Sequence, residues 1–401
     1  MERITRAAKD FGLARSIILG FFLLLLVLSG VYGMSVLRML TDVFIRWGMH
    51  GVLVLAMIPS IQSGIGPNFG VSIGIIGGLL GALISIELRA AGAFLGLGSG
   101  DRGAEQVADA AVAPTGEGLD HLADYYEQIA GNGFFNYVGQ MPGADVVVQI
   151  IVAMIIGLFF AAIFGILYGM LLNRVKGSEM MISTYVGFSV VAFFNIMWLV
   201  LPFRAGTSIW PIAGAGLRVQ ISLIDDFSRV FNHLWAVSIG GLIIPTGLLL
   251  VFFLFCLIIW LFMRSRAGMM MSAAGANPNF AKAAGINVNR MRILGTTIST
   301  MLGAVGIIIY AQSFGFLQMY SAPLFMGFTT VAAVLIGGAS INRAWIFNVL
   351  LGTFLFQGIL VTGPAVANQL VPEGNLSEIA RIVISNGIIL YALTKAKEVA
   401  R

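Results

Sequence analysis

"PSIQSGIGPNFGVSIGIIGG", Pro59 to Gly78, is the stretch on which the fold turns. Two prolines, several glycines and the polar side chains of Ser60, Gln62, Ser63 and Asn68 interrupt an otherwise apolar run. The apolar stretches on either side, near 43–63 and 69–88, are each long enough to cross roughly 30 Å of hydrocarbon. Backbone freed from helical pairing at membrane depth survives only where protein or a water-lined cavity satisfies it. The stretch therefore predicts a broken helix inside a helical membrane protein. Its uncharged hydrogen-bonding residues, Ser60, Gln62, Asn68 and Ser72, are candidates for a translocation path. The competing reading is local: Ser and Thr hydroxyls often bond back to their own helix.

Composition agrees with that class. The 401 residues are 58% hydrophobic and only 10% charged, against about a quarter charged in soluble domains. Fifty glycines fit closely packed transmembrane helices. The expected fold is an all-α, polytopic helical membrane protein, one transmembrane domain over 1–401 embedded in a lipid bilayer. About ten spans are expected, near 16–34, 43–63, 69–88, 146–169, 181–203, 237–263, 293–313, 323–341, 345–362 and 379–394. The first run, "SIILGFFLLLLVLSGVYGM", lacks an A-x-A-like exit and reads as an anchor rather than a cleavable signal. A lone Cys256 in an apolar run offers neither a disulfide framework nor a Cys-based metal site.

The net charge of +5 is distributed between spans, which points to topology rather than to nucleic acid. With ten crossings, the side holding both termini carries 15 of the 23 Lys and Arg but only four of the 18 acids. That asymmetry puts the N- and C-termini in the cytoplasm. On the outer side, residues 89–145 form a long insertion. Within it Leu119, Leu122, Tyr126 and Ile129 repeat at helical spacing. That short amphipathic helix lies either on the protein's own rim or under an extracytoplasmic partner.

A second interruption, "SAPLFMGFTTVAAVLIGGASINRAWIFNVLLG", contains Pro323, Gly327, Thr329, Thr330 and the pair Gly337–Gly338. It echoes the first, which ends in Gly77–Gly78, and hints at two related halves. Thr329 and Thr330 join the path candidates, with Asn195, Gln312 and Gln357 as lesser ones. Asp42, Arg46, Glu87 and Arg381 fall at the ends of the expected spans, and no Asp, Glu, Lys or Arg falls near a span centre. This counts against ion coupling and against a charged solute. No Gly-Lys pair exists to build a P-loop. His50, His121 and His233 have no metal-ligand spacing, and no nucleophile–base arrangement stands out. No catalytic residue, metal site or cofactor is expected on this chain.

The polar segment 264–292 sits between two spans. Asn277 fits a helix N-cap and Pro278 its first position. Ala-rich "NFAKAA" continues the helix, and Gly285 supplies a left-handed terminus with apolar Ile286 after it. Under two turns long, such a helix is marginal in water without a docking surface, and Phe280 offers an apolar knob. It either packs under its own bundle or couples to a cytoplasmic motor.

"GANPNFAKAAGINVNRMRI" resembles the cytoplasmic loop of permeases of the ribose and branched-chain amino-acid ABC importer superfamily. The pattern falls on Gly275, Asn277, Ala281, Gly285, Ile286, Asn287 and Val288. Ala332 to Leu360 is similar to the Gly-Gly segment and following span of the same permeases. Where monosaccharide permeases carry a "GGIDLSVG"-like stretch, this chain reads "SGIGPNFGVSIG"; "NRVKGSEMMISTYVG", Asn173 to Gly187, looks more like permeases for nucleosides. The resemblance implies a transmembrane subunit of an ATP-driven importer in a bacterial inner membrane, paired with a second permease subunit. It implies a cytoplasmic ABC ATPase, which holds ATP and Mg, and an extracytoplasmic substrate-binding protein. Asn277, Pro278, Phe280, Ala281, Lys282 and Gly285 would then couple to the ATPase. The solute would be neutral and polar, with sugars and nucleosides foremost. The alternative is a stand-alone secondary transporter driven by an ion gradient.

Overall fold

The computed structural model describes residues 13–91, 135–137, 143–201, 203, 208, 219–224, 226–370, 379, 382–383 and 386–387. Most of the 89–145 insertion, with its expected amphipathic helix, and most of the expected span at 379–394 lie outside the described residues.

The chain is built from long apolar helices. They are α1 (Leu13–Val31), α2 (Val36–Leu55), α3 (Met57–Gln62), α4 (Val71–Ala90), α5 (Ala144–Arg174), α6 (Glu179–Val200), α8 (Thr246–Arg264), α11 (Val288–Phe314), α12 (Ser321–Ile336) and α13 (Ile346–Leu370). Shorter pieces are α7 (Val230–His233), α9 (Arg266–Ala276) and α10 (Pro278–Ala283). Among the described residues seven helical segments, with α2 and α3 counted as one, are long and apolar enough to cross a membrane; α1 and α12 are shorter apolar helices. The polytopic helical architecture expected from hydropathy is therefore present.

Small residues set the closest contacts. Gly81 of α4 lies against Ala153 and Gly157 of α5, and Gly78 lies against Ala304 of α11. An added Cβ at either glycine would overlap partner backbone, the close approach expected where helices cannot rely on the hydrophobic effect to associate. Thr300 of α11 also donates to the Ala161 carbonyl of α5 at 3.1 Å. A second group joins α2 to α13, where the Trp47 indole donates to the Leu350 carbonyl at 3.0 Å and packs edge-on to Phe354. α6 and α8 are, with α5, the least buried of the spanning helices. Phe193, Ile196, Leu199, Leu254, Leu257 and Leu261 are exposed along them, a surface suited to hydrocarbon rather than water.

Two expectations are corrected. The span expected from 237 begins instead with a hairpin of β3 (Val237–Ile239) and β4 (Leu242–Ile244), closed by a Gly240–Gly241 turn. The helix starts only at Thr246, after Pro245. A short apolar run rich in β-branched residues has the same hydropathy in a strand as in a helix, so windowed hydropathy could not separate them. β3 also pairs with β1 (Phe135–Tyr137), and β2 (Gln220–Ser222) pairs antiparallel with β5 (Phe316–Gln318). The second correction concerns α2, which starts at Val36 behind an Ser35 cap rather than at 43. Asp42 and Arg46 therefore lie within the helix, one turn apart, and not at its end.

The two glycine pairs do different work. Gly77 and Gly78 sit inside α4 as packing positions, whereas Gly337 both caps α12 and packs against the Asn348 carbonyl, and Gly338 turns the chain with φ +87°.

α5 ends at Arg174, α8 ends at Arg264 and α11 begins at Val288, so the turn 175–178 and the segment 265–287 share one end of the bundle, called here the basic end. Arg89 closes α4 and Asp145 opens α5 at the opposite end.

Candidate functional site

At the break, α3 stops at Gln62 and the chain doubles back before α4 begins at Val71. Every predicted polar side chain there has a defined place. Ser60 Oγ donates to the Gly66 carbonyl and Ser63 Oγ to the Ser60 carbonyl, both at 2.8 Å. Gln62 Nε2 reaches across to the Ala344 carbonyl at 2.8 Å, tying the break to the turn before α13.

Asn68 is fully buried between two helices. Its Nδ2 donates to Ser299 Oγ of α11 at 2.9 Å, and its Oδ1 accepts from the Tyr168 hydroxyl of α5 at 3.0 Å. A buried amide held by both ends costs little, whereas the same amide with one partner missing is strongly unfavourable. Tyr168 and Ser299 are therefore part of this site, although hydropathy gave no reason to select them. The retrievable signal was a tyrosine within a long apolar run, because a buried tyrosine hydroxyl usually has a partner.

Ser72 is buried on α4 and faces Gly327 of α12, where an added Cβ would stand 3.4 Å from its Oγ. The Phe69 and Phe328 rings meet at 5.7 Å beside it, and Phe188 of α6 meets Phe328 at the same distance. The first interruption and α12 are thus brought together, lined by an aromatic trio absent from the sequence-based set. Thr329 and Thr330 occupy α12 with local bonds, donating to the Met326 and Gly327 carbonyls at 3.0 and 2.8 Å. Gln312 belongs to the opposite end, where its Nε2 donates to Asn232 Oδ1 at 3.3 Å and its Oε1 accepts from the Phe231 amide at 3.2 Å.

The loop at the basic end is capped at both ends. Asn277 Oδ1 accepts from the Phe280 amide at 3.0 Å, with Pro278 at the first helical position. At the other end the Gly285 amide donates to the Lys282 carbonyl at 3.0 Å and the Ile286 amide to the Ala281 carbonyl at 2.9 Å. This pair of bonds needs a left-handed residue at Gly285, whose φ is +79°. Ala281 is buried with Ala274 and Val288, and Ile286 and Met291 pack on them. That small cluster supplies the tertiary support an isolated six-residue helix lacks. Phe280 points away from it and is 68% exposed, with Lys282 exposed beside it.

The loop meets the bundle at the break. α9, which the sequence reading did not anticipate, ends with Gly275 against the break: its Cα would lie 2.8 Å from a Cβ at Gly64, and a Cβ at Gly275 would overlap the Gln62 carbonyl. In the first turns of α11, Asn289 Oδ1 accepts from Lys176 Nζ and its carbonyl from Asn173 Nδ2, both at 2.9 Å. Arg292 pairs with Glu179 at 2.5 Å.

At the opposite end Arg89 donates to Gln149 Oε1 at 2.8 Å and lies 3.6 Å from Asp145, while Gln149 Nε2 donates to Asp226 at 2.9 Å. Among the described residues no group of three or more His, Cys, Asp or Glu is placed to hold a metal ion.

A protein family described as branched-chain amino acid transport system / permease component matches residues 39–393. Among curated proteins, the chain is 30% identical over 205 residues to the probable ABC transporter permease protein YphD of Escherichia coli, covering 49% of this chain and 60% of that protein. It is 33% identical over 181 residues to the galactofuranose transporter permease protein YtfT of Escherichia coli, covering 42% of this chain and 52% of the relative. It is 27% identical over 150 residues to the nucleoside ABC transporter permease protein NupB of Lactococcus lactis subsp. cremoris, covering 37% and 38%. Each of these three matches spans less than two thirds of the relative's length. No solved structure gives a significant match.

Proposed function

Because the chain belongs to the branched-chain amino acid transport system / permease component family, we propose that it is the membrane-spanning subunit of an ATP-driven importer for a neutral polar solute, a sugar or a nucleoside. As a permease component it is a transport subunit and not an enzyme. ATP and Mg are held by a separate cytoplasmic ABC ATPase. An extracytoplasmic binding protein delivers the solute, and a second permease subunit, identical or related, completes the path. The basic end faces the cytoplasm of a bacterial inner membrane, as the excess of Lys and Arg there favours.

The observation that carries this reading is the construction of α10. A helix of six residues is held by caps at both ends and a buried alanine, yet presents a 68% exposed phenylalanine. Exposed aromatics on rigid supports are characteristic anchors of protein interfaces. Asn277, Pro278, Ala281 and Gly285 fix the helix, while Phe280 and Lys282 meet the ATPase. The solute passes beside the break, near Ser60, Gln62, Asn68 and Ser72 and near Thr329 and Thr330 of α12. Ser60, Gln62 and Asn68 are hydrogen-bonded within the protein, so the break strands none of these donors.

Purification from native membranes in mild detergent, with mass spectrometry of co-purifying chains, tests the assembly. A stoichiometric ABC ATPase is expected, together with ATP-dependent uptake in vesicles. A chain that purifies alone and moves solute only under an ion gradient would replace the importer with a stand-alone transporter.

A further inference from the structure

α8 carries an exposed apolar stripe to the basic end and finishes it in an arginine. Phe253, Leu257 and Trp260 are exposed at spacings of four and three residues, and exposed Arg264 follows four further on. Those spacings put all four side chains on one face of the helix. Arg264 Cζ stands 4.0 Å from the centroid of the Trp260 ring, a cation–π contact that holds the guanidinium over the aromatic face. Tryptophan is enriched where hydrocarbon gives way to lipid headgroups. An arginine one turn beyond it, on the same hydrocarbon-facing stripe, comes out at headgroup level.

The chain then turns sharply. Ser265 is extended, and its Oγ donates to the Phe262 carbonyl at 2.6 Å and accepts from the Gly268 amide at 3.3 Å. α9 starts at Arg266, also exposed, so the Cα atoms of the two arginines are at most about 7 Å apart. Met269 and Met270, three and four residues after Arg266, are exposed on its face of α9, while Gly268, Met271 and Ala274 are buried. An outer face that joins a cation to bare apolar side chains is the pattern of a helix lying in a membrane interface.

The charges at this elbow differ from those of the arginines that hold the bundle together. Arg89 and Arg292 each stand against a carboxylate, Asp145 and Glu179 respectively. Among the described residues, Arg264 and Arg266 have no carboxylate within ion-pair distance. The sequence has no Asp or Glu at all between Asp226 and Glu373. Two planar guanidinium forks this close together suit a phosphodiester, whose oxygens accept paired bonds from each. The exposed Phe253, Leu257, Met269 and Met270 beside them suit acyl chains.

We propose that Arg264 and Arg266, with the Trp260 ring, form a binding site for an anionic phospholipid at the elbow between α8 and α9. The lipid phosphate lies between the two guanidinium groups, and its acyl chains run along Phe253 and Leu257. This site goes beyond the importer reading and holds whichever way the solute is driven.

The test uses the full chain, with whatever chains accompany it from the membrane, delipidated in mild detergent. It is titrated with dioleoylphosphatidylglycerol or dioleoylphosphatidylcholine, which share their acyl chains and differ in headgroup charge, and native mass spectrometry counts the lipid retained. The wild type is expected to retain phosphatidylglycerol over phosphatidylcholine by about fivefold or more. Arg264→Gln combined with Arg266→Gln is expected to abolish that preference, and Trp260→Leu to weaken it by about twofold or more. Arg290→Gln, which removes an exposed charge elsewhere at the basic end, is expected to leave it unchanged.

Equal retention of the two lipids by the wild type overturns the site, as does a preference that survives in the double variant. Displacement of phosphatidylglycerol by millimolar inorganic phosphate overturns the lipid as occupant and leaves a site for a free anion. Loss of a co-purifying chain from the double variant, with the lipid preference intact, assigns the arginines to a protein contact instead.

Discussion

The break at 62–70 and the helix at 278–283 are both short irregularities beside long helices, but they are stabilised in opposite ways. Around the break, Asn68 is fully buried with both ends of its amide paired, and Gly275 meets the backbone there with no room for a Cβ. Around α10, the backbone is closed by its own caps, only Ala281 is buried, and a Cβ at Gly285 would meet nothing within 4 Å. The break is held by buried side-chain bonds and backbone contacts from other helices; α10 is held by its own caps and by the small cluster around Ala281. An element that must carry motion to other parts of a protein benefits from local rigidity and a free outer face. Polar groups at membrane depth have to be satisfied by protein or by a water-lined cavity.

Substitutions can break or sharpen this contrast. The largest effect is expected for Gly275→Val, which forces a branched side chain into the Gln62 carbonyl. Overpacking of this kind costs about 1–3 kcal/mol or more, and a lowered melting temperature with poor recovery from detergent would register it. A melting temperature equal to wild type would mean that the loop and the break are not in contact.

Asn68→Ala comes next. It leaves the Tyr168 hydroxyl and Ser299 without their buried partner, for a loss of about 1–3 kcal/mol. Adding Tyr168→Phe removes one of the stranded groups, so the double variant is expected to be less destabilised than the sum of the singles. Strict additivity in thermal denaturation would show that the two side chains do not interact.

Gly285→Val has a smaller effect on the fold. A β-branched residue at φ +79° is strained, at a cost on the order of 1–3 kcal/mol, but the open surroundings let the helix end unwind locally. Membrane insertion is expected to persist while uptake is lost and ATP hydrolysis becomes uncoupled; wild-type uptake by this variant would remove α10 from the coupling role. Phe280→Ala should leave stability within about 0.5 kcal/mol of wild type, as for exposed positions generally. Its expected signature is loss of the co-purifying ATPase, and undiminished recovery of that partner would place the contact elsewhere.

The local features were legible because local chemistry decides them. Asn277, Pro278 and Gly285 specify a helix start and stop through backbone geometry alone, and the structure has both caps where the residues place them. Hydropathy similarly exposed most of the long helices. It misplaced the start of α8 because Val237–Ile244 is as apolar in a hairpin as in a helix, and it missed the seven residues of α2 that precede the apolar stretch.

The apolar spanning helices and the capped helix are thus properties of the sequence itself: each depends on the transfer energy or backbone preference of residues close together along the chain. The pairing of Asn68 with Tyr168 and Ser299 and the seating of Gly275 on Gly64 are different in kind. They join residues separated by as many as 231 positions, and no local preference encodes such a meeting. Only the packing of α4, α5, α9 and α11 through their small residues brings these groups within bonding distance, so only the tertiary structure could decide which polar residues would share a site.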